Sequence, residues 1–263
     1  MNVNVDRLQE GLRTKRFGRN ILFLRMAGST NDLAKELAGY GTVEGTVVVA
    51  ETQTAGRGRL GRAWVSPKGG LWFSVILRPE LKPAEAVGLV FMAGLAVAEV
   101  LHELYEMSVE TKWPNDVLVN GRKVCGILSE MNTMGEKVNY VTVGVGVNVN
   151  LDVKKAFPEE LRANATSLEN ELGRKVKLEE LFKVLLENLE NIYELFLEEG
   201  LASVLGKWKT YAGFLGCRVE VTSGADKWVG VASDVGNDGA LVMKLGDGTV
   251  KRVFVGDATL RPR

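Results

Sequence analysis

Histidine and cysteine are almost missing from this chain of 263 residues, which has one histidine, His102, and two cysteines, Cys125 and Cys217. The cysteines stand far apart without metal-ligand spacing, so neither a disulfide framework nor a zinc site is expected. Net charge is missing as well: 33 basic residues balance 33 acidic ones, which leaves no basic excess of the kind nucleic-acid binders carry. Long apolar runs are also absent. The longest uncharged one, Ala86 to Ala98, falls short of the roughly 20 residues that span a bilayer, and Met1 to Gly18 has charges throughout and no apolar core for a signal peptide. The expectation is a cytoplasmic protein with no membrane partner and no DNA partner, in one or two domains.

What the chain does have is a concentrated run of glycine and arginine, Ala55-Gly-Arg-Gly-Arg-Leu-Gly-Arg-Ala-Trp64. Glycine permits positive φ and close backbone approach to a ligand, and Arg57, Arg59 and Arg62 interleave fixed charge. No acidic residue occurs between Glu51 and Glu80. This local positive field is expected to take an external anion, a phosphate or a carboxylate or both. The plainer reading is a flexible surface loop or nucleic-acid tether, though an RNA loop would need aromatic residues between the arginines and the block has only terminal Trp64.

Neighbouring segments place this run at a strand end. Residues 5–17 read as a short amphipathic helix and Ile21–Leu24 as a strand. Gly28-Ser-Thr-Asn31 then opens a helix; one hydroxyl suffices for an N-cap, and three consecutive hydrogen-bonding side chains exceed that need. Val47–Ala50 is an apolar run suited to a buried strand and delivers Gln53 to the loop. Leu71–Leu77 reads as a strand, and Pro83–Tyr105 as a central buried helix with His102 facing solvent on its charged last turn. Asn120-Gly121, between Val117–Val119 and Lys123–Glu130, signals a hairpin. That hairpin sets Asp116 and Lys123 on adjoining strands, either as a surface salt bridge or as part of a site.

Val138–Asn150 alternates as a strand. Its Gly144-Val-Gly146 is not a dinucleotide fingerprint, because no helix follows; glycines inside a strand mark where a ligand or another backbone must come close. Residues 158–172 look irregular, and Val176–Glu199 is a strong helix with a second helical piece to about residue 214. From Cys217 onward four short strands, 219–222, 228–232, 240–244 and 249–255, alternate with Ser-Gly, Asn-Asp-Gly and Gly-Asp-Gly turns. They read as a small antiparallel barrel of SH3-like size that docks on the first domain.

Taken together, Ser29-Thr30-Asn31, Gln53, Gly56 to Trp64, Lys112-Trp-Pro-Asn-Asp116, Arg122 to Glu130 and Gly144 to Asn148 resemble the catalytic module of biotin-protein ligases, in family order and over nearly the whole chain. The resemblance implies an α+β fold, with a mixed, mainly antiparallel sheet and packed helices of class II synthetase type over residues 1–214. An SH3-like β-barrel is implied over 215–263. It implies an ATP- and Mg²⁺-dependent enzyme that converts biotin to biotinyl-5′-AMP and passes it to a lysine of a biotin carboxyl carrier protein domain. Because the first block begins at Ser29, the form lacking a DNA-binding domain is expected; family members often dimerise through sheet edges or the small domain.

The resemblance also implies residue roles. Lys123 and Arg59 meet the charge of the biotin carboxylate and the α-phosphate, and Asp116 serves as base or Mg²⁺ ligand. Ser29, Thr30, Asn31 and Gln53 are expected to hydrogen-bond biotin, with Gly56, Arg57, Gly58 and Gly126 completing its pocket. For ATP the implied residues are Arg59, Arg62, Trp64, Lys112, Asn115, Lys123 and Asn148. A lipoate or octanoate transferase of related fold is the alternative enzyme.

Overall fold

The computed structural model describes residues 8–260. A seven-stranded sheet comprises β1 (Ile21–Leu24), β2 (Val47–Ala50), β3 (Leu71–Leu77), β4 (Val109–Lys112), β5 (Asp116–Val119), β6 (Arg122–Met134) and β7 (Lys137–Val147). Its order is β1-β2-β3-β7-β6-β5-β4. Only β1 and β2 run parallel, joined through helix α1 (Thr30–Gly39); the remaining pairs are antiparallel.

The two faces of this sheet differ, and the difference creates the site. Successive side chains alternate across a strand. In β2, Val47 and Val49 enter the main core while Val48 packs under α1 with Ala34, Ala38 and Ile76, so this four-residue run is buried on both sides. On β3 and β7 the same alternation sends Phe73, Val75, Val141, Val143 and Val145 to the main core. Ser74, Thr142, Gly144 and Gly146 therefore fall on the opposite face, where small and polar residues leave room between strand and cover.

The main core is filled by α2 (Pro83–Ala86), α3 (Leu89–Tyr105), α7 (Leu178–Glu199) and α8 (Leu201–Thr210), with the shorter α4 (Val153–Ala156), α5 (Glu159–Arg162) and α6 (Leu168–Leu172) between β7 and α7. The stretch 83–105 is apolar and long enough to cross a membrane by composition alone, but 72% of its apolar window is buried inside the fold. It lies between sheet and helices, which explains why nearly every side of it is hydrophobic. His102 is exposed, as expected.

A second sheet of β8 (Arg218–Ser223), β9 (Asp226–Val235), β10 (Leu241–Leu245), β11 (Val250–Val253) and β12 (Asp257–Leu260) has the order β11-β10-β9-β8-β12. All its pairs are antiparallel and its end strands β11 and β12 are not paired with each other, so it is not a closed barrel. It docks as expected: Val219, Val221, Leu241 and Met243 join the main core, and buried Trp113 donates Nε1–H to the Gly239 carbonyl at 2.9 Å.

Two expectations need correction. The helix over 5–17 falls partly on residues outside those described. Within them only residues 8 and 9 are helical, because Gly11 has φ +73° and the buried Glu190 carboxylate accepts the N–H groups of Lys15, Arg16 and Phe17 at 2.5, 2.6 and 3.0 Å. The strand expected over 249–255 ends at Val253, and the chain turns through Gly256 into the additional strand β12.

Candidate active site

On the small-residue face of the seven-stranded sheet lies a cavity of about 260 Å³. Its floor is the cross-strand pair Gly126 and Gly146 with Gly144 beside them. A Cβ at Gly146 would lie 2.5 Å from Trp64 Nε1, and one at Gly126 would lie 2.9 Å from the same ring. These glycines thus let the Trp64 indole lie against bare backbone, which is the close approach that glycine in a strand signals. Buried Trp64 Nε1 has no hydrogen-bond partner.

One end of the cavity is built for a neutral polar group. Ser29 caps α1, accepting from Asp32 N at 3.4 Å, while the next two side chains do other work. Thr30 donates from N and Oγ1 to Gln53 Oε1 at 2.8 and 3.1 Å, and accepts from Ser74 Oγ at 2.9 Å. Gln53 Nε2 donates to Ser66 Oγ at 2.8 Å. Asn31 is buried; its Nδ2 donates to Glu130 Oε2 at 2.5 Å, and its Oδ1 has no partner. That oxygen sits 2.9 Å from where a Gly144 Cβ would be.

The other end is charged. Lys123 Nζ lies 2.6 Å from Asp116 Oδ1 and 5.0 Å from the centre of the Trp64 ring. Arg59 Nη1 donates to Asn115 Oδ1 at 3.2 Å and to the Gly256 carbonyl at 3.1 Å. Asp257, on β12, stands 3.6 Å from Arg59 and 2.5 Å from Arg62. Burial pulls the Arg59 guanidinium below its usual range, against Asp257 and Asp116, which favour its charged form. Asn148 Nδ2 donates to the Thr166 carbonyl at 2.9 Å, and its buried Oδ1 has no partner. Cys125, between these residues in sequence, is wholly buried, and burial pushes its thiol up, which makes it inert.

The Gly/Arg run closes on itself as a tight loop. Trp64 N donates to the Gly56 carbonyl at 2.8 Å and Gly58 N to the Arg62 carbonyl at 2.7 Å, with Leu60 and Gly61 at φ +57° and +72°. Its arginines are not without internal partners. Arg57 pairs with Asp32 and Glu130, Arg59 and Arg62 with Asp257, and Lys68 with Glu51 at 2.7 Å. These carboxylates come from distant segments, which a count of neighbouring charges does not register.

Of the residues singled out in the sequence, Gly56 and Lys112 do not line the cavity; the others do. Gly56 lies beneath the loop, where a Cβ would meet the Trp64 carbonyl at 2.4 Å. Lys112 stands on the sheet's edge strand opposite Asp116. The sequence reading missed Asp257, whose Val-Gly-Asp-Ala setting carries no motif. It also missed Phe157, Leu161 and Asn164, which line the wall, the last two from the stretch 158–172 that looks irregular and Phe157 from just ahead of it.

Residues 23–148, which carry the end of β1 and all of β2 to β7, match the Biotin/lipoate A/B protein ligase family. The chain is 34% identical over 251 residues to the bifunctional ligase/repressor BirA of Bacillus subtilis, covering 95% of this chain and 77% of that protein. It is 34% identical to a biotin acetyl-CoA-carboxylase ligase of Mycobacterium tuberculosis, covering 88% and 86% of the two chains. A structure of the biotin protein ligase from Aquifex aeolicus in complex with biotin and ATP superposes with a TM-score of 0.78 at 31% identity, covering 93% of this chain and all of that one. With the geometry of the cavity, these likenesses establish that the chain belongs to the biotin/lipoate A/B protein ligase family.

Proposed function

We propose that this protein is an ATP-dependent biotin-protein ligase. The biotin carboxylate oxygen attacks the α-phosphorus of ATP, the bond to the β-phosphate breaks, and pyrophosphate leaves. A lysine amine of a carrier domain then attacks the acyl carbon of biotinyl-5′-AMP, loses a proton, and AMP departs. A biotin carboxyl carrier protein domain of a carboxylase is the acceptor in this reading. The observation that carries it is that Lys123 and Arg59 line the same cavity as Thr30 and Gln53.

Bringing a carboxylate to a polyphosphate requires cations aimed where charge develops. Lys123 is assigned that role at the carboxylate and α-phosphate, assisted by Arg59. Ser29, Thr30, Asn31 and Gln53 hold the ureido ring with the backbone of Arg57 and Gly58 and the bare face of Gly126. Arg62, Trp64, Asn115 and Asn148 hold the nucleotide. Leaving any of these buried polar groups unpaired is what rejects look-alike acids.

Among the described residues no three His, Cys, Asp or Glu side chains cluster as a metal site. Two carboxylates, Asp116 and Asp257, line the cavity, and of these Asp116 fits Mg²⁺ that enters on a nucleotide, because that ion is commonly held by one or two carboxylates plus phosphates. Mg²⁺ bound there supplies charge to the leaving pyrophosphate. Asp116 itself holds Lys123 in place and is the group able to take the acceptor amine's proton.

In the same reading residues 1–214 form the catalytic domain and 215–263 an SH3-like domain, and the protein works in the cytoplasm. A homodimer through a sheet edge, of which β1 is one, is the assembly to test by sedimentation. The decisive assay is biotin-dependent exchange of labelled pyrophosphate into ATP, followed by streptavidin detection of a carrier domain. Exchange driven by lipoate and not by biotin overturns the assignment.

A further inference from the structure

Arg57 differs from the other arginines of its loop. Its Nε donates to Asp32 Oδ2 at 3.1 Å, its Nη1 to Glu130 Oε1 at 3.3 Å, and its Nη2 to Glu130 Oε2 at 2.9 Å and also to Asp32 Oδ1. Two carboxylates on separate elements, α1 and β6, therefore engage the guanidinium along its planar fork. Lys35 bridges the same two carboxylates at 3.1 Å each. The cluster holds two cations and two anions. The charge of Arg57 is thus balanced inside the protein, and the backbone near Arg57 and Gly58 is left to face the cavity.

Glu130 is the better-shielded anchor, with its side chain 27% exposed against 51% for Asp32, so solvent screens it less. It also accepts from Asn31 Nδ2. That bond fixes the orientation of the amide and leaves the carbonyl oxygen of Asn31 toward Gly144 on the cavity face. One carboxylate therefore ties the loop to the helix that opens with the ring-binding side chains. The loop needs such a tie, because Leu60 holds a left-handed conformation that a side-chain-bearing residue disfavours.

We propose that Glu130 is a positioning residue. It acts through Arg57 to hold the loop of residues 56–64 against α1, and so sets affinity for the carboxylic acid and retention of the activated intermediate, without taking part in the chemical step. The proposal rests on the ligase reading for its kinetic consequences, but the tether itself can be tested without it.

The experiment compares Glu130→Gln, Arg57→Met, the double variant, and Asp32→Asn, which attacks the tether from the exposed helix side where folding is not at stake. The amide introduced by Glu130→Gln keeps an acceptor for Asn31 and loses the charge that Arg57 requires. In biotin-dependent pyrophosphate exchange, KM for biotin is expected to rise roughly five- to tenfold in each single variant, the range for a partly exposed ion pair with good geometry. Turnover at saturation should stay within about twofold in Glu130→Gln and Asp32→Asn, whose side chains do not line the cavity and which leave Lys123 and Arg59 untouched. The double variant should be no worse than either single one, since both act through one contact. In parallel, trypsin cleavage after Arg59 and Arg62 should be faster in Glu130→Gln than in the parent protein, with no substrate present. A fall in turnover at unchanged KM, effects that multiply in the double variant, or equal trypsin rates overturn the proposal. A parent protein with no biotin-dependent exchange but with the trypsin difference overturns the ligase reading and leaves the tether standing.

Discussion

Lys123 Nζ sits 2.6 Å from Asp116 Oδ1, although the two residues are not cross-strand partners. Asp116 faces Gly126 and Lys123 faces Leu118, with a register shift at Val117/Leu118. Alternation puts Asp116 on the same face as Leu118 and so as its partner Lys123, while the irregularity sends both Val124 and Cys125 to the core and brings Gly126 back to the cavity side, as bulges commonly re-aim a side chain next to an active site. A regular hairpin would oppose different residues. The pair therefore lines the cavity, with the Lys123 side chain 30% and the Asp116 side chain 16% exposed, and is not a surface salt bridge.

Lys123→Ala should reduce biotin-dependent pyrophosphate exchange on the order of 10²- to 10³-fold, the usual cost of losing one preorganised charge at a developing anion. The backbone bonds of Lys123 to Asn164 and Thr166 do not depend on its side chain, so circular dichroism should show an unaltered fold. Retained exchange would remove Lys123 from the chemistry.

Arg59 is held by Asn115, the Gly256 carbonyl and Asp257 at once. Arg59→Gly deletes all three ties and should let the activated acid escape, so that bystander proteins become biotinylated. Streptavidin blots of a mixture of carrier domain and serum albumin measure this. Unchanged selectivity would show that the loop does not guard the intermediate.

Gly146→Ala places a methyl group where Trp64 Nε1 lies 2.5 Å away. The ring must shift or the strand must bend, and overpacking of this kind costs about 1–3 kcal/mol. Thermal melting should register the loss, and KM for ATP should rise because Trp64 walls the cavity. Gly206→Ala, where a Cβ meets nothing within 4 Å, serves as the control and should leave both unchanged.

The Glu130 carboxyl carries a pH signature. Burial raises its affinity for a proton, but hydrogen bonds from Asn31 and Lys35 and the charges of Lys35 and Arg57 outweigh burial and hold it below its usual range. A carboxyl lowered by folding adds stability above its unfolded pKa of about 4.3 and loses it as pH falls through the folded value. The melting-temperature gap between the parent protein and Glu130→Gln should therefore be full at neutral pH and close below about pH 4. A gap independent of pH would mean that the charge of Glu130 adds nothing.

Much of this was legible in the sequence because local chemistry decided it. Val47–Ala50 and Leu71–Leu77 form strands with those bounds, since unbroken apolar runs of that length need cover on both faces. Asn120 and Gly121 take φ +50° and +73°, as a two-residue hairpin turn demands. The glycines of β7 do mark a close approach, to Asn31 and Trp64. Long-range relations were not legible. Leu8, Leu12 and Phe17 are buried and have near-helical spacing, yet a carboxylate from α7 pins that segment as a loop. Likewise the acidic partners of the arginines lie on other elements, so the loop read as more positive than it is.

Asp257 lies on the strand that follows every other described element, and it is where Arg59 and Arg62 are moored. Every other residue that lines the cavity lies between Ser29 and Ala165, so the smaller sheet reaches the pocket through this one side chain. Losing β12 would take from both arginines the carboxylate they share, so the smaller sheet is a working wall of the pocket.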